Sequence, residues 1–592
     1  MKTRMRTAAC GAQRIENVGE EMTVCGWVSR QRDLGQLIFI DLRDRSGILQ
    51  LAFDADSDSE VFQLAFSCRA EFVLQATGIL RERSSKNKEI PTGEVELVVK
   101  SLKLLSKSET PPFEIVENSD VNDNLRLKYR YLDLRRPDLQ SKLIFRHELA
   151  KITRDFFYEN GFIEIETPTL IKSTPEGARD FLVPSRIHNG NFYALPQSPQ
   201  IYKQLTMVSG FERYFQFARC YRDEDSRADR QPEFTQVDIE MSFVEMDDIL
   251  DIVEGYIKRV FKDAMKLDID PIPRFTFKEV MERYGTDKPD TRFGMELKDV
   301  SDIVKDCDFS VFANAVSSGG SCRAICASDS AAIFTRKEID KLTEFIKGIG
   351  GRGLAWIRWT KEGKGSSFAK FMKEDEIDAI LDAVGAKSGD LVFLIADTNN
   401  NAVLSQLGQL RTELSRRLDI ASEEGAEKYK LLWVTEFPYF AEDVESGEWM
   451  AMHHPFTAPL DECLEYLDKD KSKVRAKAYD LVLNGVELAS GSIRISDPEI
   501  QSRVFAMLGL GPEEANTKFG FLMEAFKYGA PPHGGLGLGF DRLVMQLSLS
   551  TSLRDVIAFP KTQNAVDLMI NCPSAVDEKQ LGDLGLKLMG SD

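Results

Sequence analysis

Two carboxylates spaced to share a cation are the first residues whose types suggest chemistry. Within Tyr479–Ile495, Asn484-Gly485 is the signature of a two-residue type I′ hairpin turn. Such a turn pairs Leu483 with Val486, Val482 with Glu487, Leu481 with Leu488, and Asp480 with Ala489. Asp480 and Glu487 then lie diagonally on one face, about 7–8 Å apart at the backbone. Leu481, Leu483, Val486 and Leu488 fill the other face. Paired hard oxygen donors suit Mg²⁺; an exposed pair of acids on an edge hairpin is the plainer alternative. Arg494 follows on the next strand segment, where it can hold an anion.

A second concentration of charge is the loop Arg222-Asp223-Glu224-Asp225-Ser226-Arg227-Ala228-Asp229-Arg230. It joins a strand over Tyr214–Tyr221 to a strictly alternating one over Phe234–Val244. Val237, Ile239, Met241 and Phe243 share one face, and Gln236, Asp238, Glu240 and Ser242 the other. That polar row faces either solvent or an open cleft. The third is the glycine-rich run Pro531–Leu543. It gives close backbone access and then places Arg542 in the first turn of a helix starting near Phe540, a position suited to a nucleotide phosphate or base. Arg542 stands where a dinucleotide fingerprint needs its third glycine, and no βαβ unit surrounds the run, which excludes that fold. Smaller pieces are Ser173–Asp180, Gln197–Lys203 with Gln200 and Lys203 one helical turn apart, and His453-His454, which are structural or functional.

These residues need large domains to position them. A chain of 592 residues implies three or four domains, and 43% hydrophobic with 29% charged residues excludes wholesale disorder. No apolar run reaches the roughly 18–20 residues of a membrane span, and the N-terminus lacks the apolar core of a secretory leader. The expectation is a soluble cytoplasmic protein. The formal charge is −19, yet residues 1–110 balance 16 basic against 16 acidic side chains, so the front is electropositive relative to the body. Nine scattered cysteines without a CxxC pair read as free thiols, and five histidines without HExxH give no zinc pattern.

Along the chain, residues 1–110 predict five short strands (Met22–Val28, Leu37–Leu42, Ile48–Phe53, Glu71–Leu80, Glu94–Leu105) and one helix, Ser59–Ser67. That pattern suits a small OB-type barrel. Arg30, Arg32, Arg43, Arg45, Arg81, Arg83, Lys86 and Lys88 gather near strand ends. Phe39, flanked by Ile38 and Ile40, points outward if they point inward, as a stacking platform for single-stranded nucleic acid would. A linker over 111–138 carries Arg126–Tyr131 and Arg135-Arg136, which could touch phosphates or form a solvated hinge. Phe145, Leu149, Ile152 and Phe156 make an amphipathic helical stripe, followed by a strand over Phe162–Thr167. Residues 290–425 alternate strands and helices, as in Asp375–Val384, Leu391–Ala396 and Ala402–Arg417, without chemistry-bearing motifs. They read as an insertion.

In this order, the pieces resemble the three motifs of class II aminoacyl-tRNA synthetases. Phe145–Pro168 is similar to motif 1, Arg219–Glu224 through Glu240 to motif 2, and Gly537–Arg542 to motif 3. The barrel, Thr174–Asp180 and Gln197–Gln200 resemble the aspartyl enzymes, and the insertion their bacterial type. The resemblance implies an α+β multidomain homodimer. It has an OB anticodon-binding domain (1–110), a hinge (111–138), and an antiparallel catalytic sheet flanked by helices in two halves (139–289 and 426–560). An α/β insertion (290–425) and a C-terminal extension (561–592) complete it. It implies ATP, L-aspartate and tRNA(Asp) as substrates, with Mg²⁺.

It also implies roles. Arg222 and Arg542 are catalytic through phosphate charge. Glu176, Ser198, Gln200, Lys203, Arg222, Asp238, His453 and Arg494 bind aspartate, with Lys203 and Arg494 on its side-chain carboxylate. Asparagine would leave those two cations without a counter-charge. Arg222, Asp223, Glu224, Gln231, Phe234, Glu487, Gly539, Phe540, Asp541 and Arg542 bind ATP, and Asp480 and Glu487 the metal. Arg30, Leu34, Phe39, Gln50 and Glu96 face the anticodon. Leu34 resembles members restricted to tRNA(Asp); the alternative is an enzyme that also charges tRNA(Asn).

Overall fold

The structure, a computed structural model, describes residues 2–54, 58–173, 177–225, 227–421, 428–442 and 449–589. The chain forms two compact units, Met1–Ser141 and Lys142–Asp592.

In the first unit, β1 (Glu21–Asp33), β2 (Ile38–Asp44), β3 (Gly47–Phe53), β4 (Val73–Glu82) and β5 (Val95–Ser106) close a barrel in the order β1-β2-β3-β5-β4. The helix Ser59–Ser67 lies between β3 and β4, capped where Asp58 accepts from the Glu60 N–H. Val24, Val28, Ile38, Ile40, Leu42, Leu49 and Leu51 fill the interior. The alternation predicts β1 to end at Val28, but it runs five residues further. β1 pairs with β4 over Glu21–Trp27 and with β2 over Trp27–Asp33, the second pairing interrupted by a bulge between Val28 and Arg30. One strand thus serves two neighbours, which closes the barrel. Its second half carries polar residues, so hydrophobic patterning stops before the strand does.

The basic linker is not a solvated hinge at its centre. Asp133 is fully buried and accepts from Arg126 at 3.1 Å, Arg130 at 2.6 Å and Arg136 at 3.1 Å. Arg43 likewise turns inward onto Glu71 at 2.8 Å.

The second unit begins its main sheet with β6 (Ile163–Glu164), makes a hairpin of β7 (Leu182–Pro184) and β8 (Phe192–Ala194), and continues with β9 (Arg213–Tyr221), β10 (Glu233–Ser242) and β11 (Arg274–Thr276). A second sheet follows: β12 (Lys298–Asp299), β13 (Ser321–Ala327), β14 (Ala355–Thr360), β15 (Gly363–Ser366) and β16 (Leu391–Asp397). It is antiparallel throughout, in the order β12-β13-β16-β14-β15. The chain returns at β17 (Leu431–Thr435), makes the hairpin β18 (Phe440–Glu442) and β19 (Trp449–Ala451), and completes the main sheet with β20 (Ala478–Leu483), β21 (Val486–Ile493) and β22 (His533–Gly539).

The main sheet has the order β11-β17-β20-β21-β22-β10-β9-β6. Its six inner strands are antiparallel, and the short edge strands β11 and β6 are parallel to their neighbours. β11 and β17 lie side by side, so the chain leaves for the inserted sheet and returns at adjacent points. That closeness lets a large insertion leave the sheet register intact. Helices Pro137–Glu159 and Met246–Val260 supply Leu149, Phe156, Phe157, Ile249, Leu250, Val253 and Ile257 to the core under the sheet. Of the predicted stripe, Phe145 and Ile152 are only partly buried. The predicted Phe162–Thr167 strand shrinks to β6, and the predicted end of the 234–244 strand is also wrong: Phe243 takes φ +61 beyond β10 and is exposed. Among the described residues, no helix is long and apolar enough to cross a membrane.

The inserted sheet's helix Asn400–Leu418 meets the segment that leads into the insertion, at Gly285, backbone to backbone. A Cβ on Gly408 would lie 2.4 Å from the Gly285 carbonyl oxygen, whereas one on Gly348 meets nothing within 4 Å. Gly408→Ala should destabilise the second unit by about 1–3 kcal/mol, seen as a lower calorimetric midpoint, with Gly348→Ala as the neutral control. An unchanged midpoint for Gly408→Ala would contradict the close approach.

Candidate active site

Three neighbouring strands, β10, β22 and β21, form the floor of a cleft of about 830 Å³. Their register sets Glu240 beside Gly535 and Ser492, and Asp238 beside Gly537 and Ser490. The glycines are required here by space. A Cβ on Gly535 would lie 2.3 Å from Glu240 Oε2, and one on Gly537 would lie 3.1 Å from Asp238 Oδ1. Alternate glycines on β22 leave the acids of β10 room and leave the floor open to a ligand.

Four buried charges occupy one end. Lys203 Nζ donates to Asp238 Oδ1 at 3.1 Å and to the Leu536 carbonyl at 3.2 Å, and lies 3.6 Å from Glu240 Oε2. Arg494 grips Glu240 bidentately, Nε to Oε1 at 2.9 Å and Nη2 to Oε2 at 3.2 Å, and donates from Nη1 to Ser492 Oγ at 2.6 Å. Burial pushes the Glu240 carboxyl up, but Arg494 and Lys203 outweigh it, so its pKa ends below the usual range. Burial prevails at Asp238, which is raised despite Lys203. This corrects the expectation that Lys203 and Arg494 await a ligand's charge: each already has a carboxylate partner. Glu240 lies on the predicted polar face of β10, but nothing in the alternation distinguishes a residue that faces a cation from one that faces water.

Gln200 Nε2, Asp238 Oδ2, His453 Nε2 and His454 Nε2 are buried without a hydrogen-bond partner among the described residues. Their residues all line the cleft, so they are equipped for a polar ligand. Burial pushes His453 down to about 4 and His454 down to about 3, the latter also opposed by Arg494 and Lys203. Both imidazoles are therefore neutral near pH 7. Ser198 also lines this end; Glu176 lies outside the described residues.

At the other end, the Arg222 guanidinium sits 5.1 Å from the Phe234 ring centroid. Glu224 accepts from Arg230 at 3.2 Å, and Gln231 accepts from the Lys561 N–H at 2.9 Å. Arg542, in the first turn of the helix Phe540–Leu547, donates from Nη1 to the Glu487 carbonyl at 3.1 Å. Gly539 and Gln231 line this end as well. Two expected nucleotide contacts are not cleft residues. Phe540 is buried in the core, edge-on to Phe217 at 5.1 Å, because the first turn of an amphipathic helix points its apolar member inward. Asp223 is outside the lining and bridges to Arg179. Asp541 lines the cleft but spends its carboxylate on Arg146 and the Thr235 N–H, fixing β10 to the helix.

The acidic hairpin turns as predicted, with Asn484 at φ +52 and Gly485 at φ +81. Its register differs. A bulge between Leu481 and Val482 pairs Leu481 with Ala489 and Asp480 with Ser490. The predicted Leu481–Leu488 and Asp480–Ala489 pairs are absent, since turn geometry sets only the first two pairs. Asp480 and Glu487 remain electrostatic neighbours: burial first, then the Glu487 charge, holds the Asp480 carboxyl well above its usual range. Asp480 Oδ1 is buried without a hydrogen-bond partner among the described residues. Two neighbouring carboxylates, one with a buried oxygen left open, fit a divalent cation, although no cluster of three or more metal-ligand side chains occurs among the described residues.

On the barrel, Ile38 and Ile40 are buried and Phe39 is not, with the Arg32 guanidinium 5.8 Å from its ring. Leu34 is 68% exposed at the β1–β2 turn, and Arg30 is exposed on β1. Gln50 and Glu96 are buried and bonded: Gln50 Nε2 donates to Glu96 Oε2 at 2.6 Å, and Arg32 donates to Gln50 Oε1 at 2.8 Å.

Residues 122–563 match the family described as tRNA synthetases class II (D, K and N), and residues 22–105 match the OB-fold nucleic acid binding domain. An aspartate–tRNA ligase of Ruminiclostridium cellulolyticum is 57% identical over 98% of both chains. An aspartate–tRNA(Asp/Asn) ligase of Caldanaerobacter subterraneus subsp. tengcongensis is 55% identical over 98% of both. The crystal structure of asparaginyl-tRNA synthetase from Pyrococcus horikoshii, complexed with asparaginyl-adenylate, shares the fold. Its TM-score is 0.58 at 18% identity, over 94% of this chain and 98% of that one.

Glu240→Gln removes one partner of a buried pair and should cost about 3–5 kcal/mol of stability, read as a lower unfolding midpoint; a wild-type midpoint would contradict the pairing. The histidines give a pH prediction. In the unfolded chain they protonate near 6.5, but in the fold only near 4 and 3. The unfolded state therefore binds more protons between about pH 6.5 and 4, and stability falls as pH drops through that window. His454→Gln should shrink the drop in Tm between about pH 7 and about pH 5; an undiminished drop would count against a neutral buried imidazole.

Proposed function

The chain belongs to the class II tRNA synthetases of the D, K and N group, and from that membership and the chemistry of its cleft we propose that it is an aspartate–tRNA ligase of the bacterial type. The observation that carries this reading is the buried Lys203–Arg494 pair at one end of a cleft whose other end holds Arg222, Phe234 and Arg542. One end suits a small anionic amino acid, the other a nucleoside triphosphate.

An α-carboxylate oxygen of aspartate attacks the α-phosphorus of ATP. The bond from that phosphorus to the oxygen bridging to the β-phosphate breaks, and pyrophosphate leaves. A 3′-terminal ribose hydroxyl of tRNA(Asp) then attacks the activated carbonyl carbon and loses its proton, and AMP departs. No protein nucleophile is needed; the work is positioning and electrostatics. Arg222 binds the α-phosphate and offsets the charge that grows there. Adenine lies between Phe234 and Arg542, with Glu224 and Gln231 at its edge or on the phosphates. Ser198, Gln200, Asp238 and His453 hold the amino acid's polar backbone, and Lys203 and Arg494 donate to its side-chain carboxylate. Asp480 and Glu487 would hold Mg²⁺, which when bound offsets phosphate charge.

Specificity rests on donor geometry. Lys203 and Arg494 present only hydrogens, so a carboxylate oxygen is accepted while the NH₂ of asparagine meets donors it cannot pair with. On the barrel, Arg30, Leu34 and Phe39 face the anticodon, and Gln50 and Glu96, locked together, form the wall beside it. Leu34 supports restriction to tRNA(Asp). Exposed Ile163, Phe211 and Phe243 at the ends of β6, β9 and β10 support a homodimer, and the setting is cytoplasmic.

Aspartate should support ATP–pyrophosphate exchange with a kcat/KM on the order of 10⁴-fold above asparagine. Radiolabelled aspartate should charge tRNA(Asp) and leave tRNA(Asn) uncharged. Charging of both would overturn the restriction and favour dual specificity; charging of neither would overturn the ligase itself.

A further inference from the structure

The inserted sheet carries none of the motifs assigned above, yet the segment that leads into it, between the helix ending at Tyr284 and β12, reaches the cleft. Lys288 lines the cleft alongside Gly485, Val486, Glu487 and Ser490, at the end where Arg542 donates to the Glu487 carbonyl. Its charge and that of Asp287 both act on Asp480. Lys288 is solvent-exposed and makes no ion pair among the described residues, unlike Lys203 at the opposite end.

The segment presenting Lys288 is held from two sides. On the cleft side it packs on the hairpin turn: a Cβ on Gly485 would lie 3.2 Å from Asp290 Cβ. On the other side stands Arg411, on the inserted sheet's helix Asn400–Leu418. Its guanidinium is almost wholly buried and has no carboxylate partner among the described residues. It donates instead to three main-chain carbonyls of this segment, Asp290 and Phe293 at 2.7 Å and Gly294 at 3.0 Å, and it stacks over the Phe293 ring at 4.2 Å. Burial lowers its pKa to about 10, which leaves it charged at neutral pH. Arg292 adds a bond from its guanidinium to the Ala421 carbonyl at 3.0 Å and grips Asp290 at 2.6 Å. Burying an arginine against carbonyls is costly unless the geometry is well satisfied. Here its hydrogen bonds clamp one short strip of main chain, while the Phe293 and Tyr284 rings pack against it at 4.2 and 5.0 Å.

We propose that Lys288 is a further substrate-binding residue, contacting the β- and γ-phosphates of the nucleotide, and that the insertion, through Arg411, is the positioning scaffold that presents it. Arg222, Glu487 and Lys288 line the same cleft, so with the α-phosphate at Arg222 the proposed phosphate chain runs toward Glu487, where Lys288 meets it as a point charge. Its partner is then the pyrophosphate portion, released as product, and not the adenosine or the amino acid.

The inference rests on ATP being the nucleotide of this cleft. Calorimetric titration of the full chain with ATP and with AMP, without aspartate, tests it. Lys288→Ala should bind ATP about 10- to 100-fold more weakly, the span of one charge-assisted hydrogen bond, with AMP binding unchanged. Lys288→Arg should restore ATP binding. Arg411→Met, or Arg411→Lys should the first not fold, should weaken ATP and raise the KM for pyrophosphate in the exchange reaction without moving the KM for aspartate. Equal losses on ATP and AMP, or no loss on ATP, would overturn the role of Lys288. A fall in thermal midpoint alone for the Arg411 variants would overturn the scaffold. Loss of aspartate-dependent charging by the unaltered chain would instead sink the ligase, while the ATP-against-AMP comparison would still decide Lys288.

Discussion

Four buried charges, Lys203, Asp238, Glu240 and Arg494, are the constraint around which the second unit is arranged. Each would cost several kcal/mol to bury alone. Together they balance, and the balance holds only if β10 and β21 stand on either side of β22 in the observed register. That register needs a strand between them with almost no side chains. β22 meets the need with glycine at alternate positions, where a Cβ would collide with Glu240 or crowd Asp238. The glycine-rich motif is therefore explained by the acids across from it as much as by any ligand.

The same arrangement shows how a polar site can sit within a large apolar core. The face of β10 opposite the acids contributes Val237, Ile239 and Met241 to the core, with the helix Met246–Val260 beneath. The strand is buried on both faces, one apolar and one ionic. Asp541 ties the two regions together, accepting from the β10 backbone at Thr235 and from Arg146 on the long helix Pro137–Glu159. Rigidity of this kind is what a positioning mechanism requires, because no covalent intermediate with the protein compensates for a misplaced substrate.

The inserted sheet follows a related logic. Leaving at β11 and returning at the adjacent β17 costs the main sheet nothing in register. The return path brings Arg411 against the main chain at Asp290–Gly294. A domain without motifs of its own can still govern one cleft residue through backbone carbonyls, a form of contact that leaves no side-chain signature.

Local chemistry was legible in the sequence wherever it depended on neighbours along the chain. The helix Ser59–Ser67, the Asn484-Gly485 turn, the inward Ile38 and Ile40 around Phe39, and the alternation of Val237, Ile239 and Met241 all follow from short-range sterics and hydrophobic period. The order of charged loop, acidic hairpin and glycine-rich strand was legible too, and with it the family. Tertiary structure alone decided which charges face each other. Nothing along the chain marks Glu240 as the partner of Arg494, 254 residues away, or inserts the bulge that moves Asp480 opposite Ser490. Nor does anything local send Phe540 into the core while Arg542 meets the cleft. Electrostatic pairing and strand register are set by through-space distance and by the cost of burying unpaired groups, and both quantities exist only once the chain has folded.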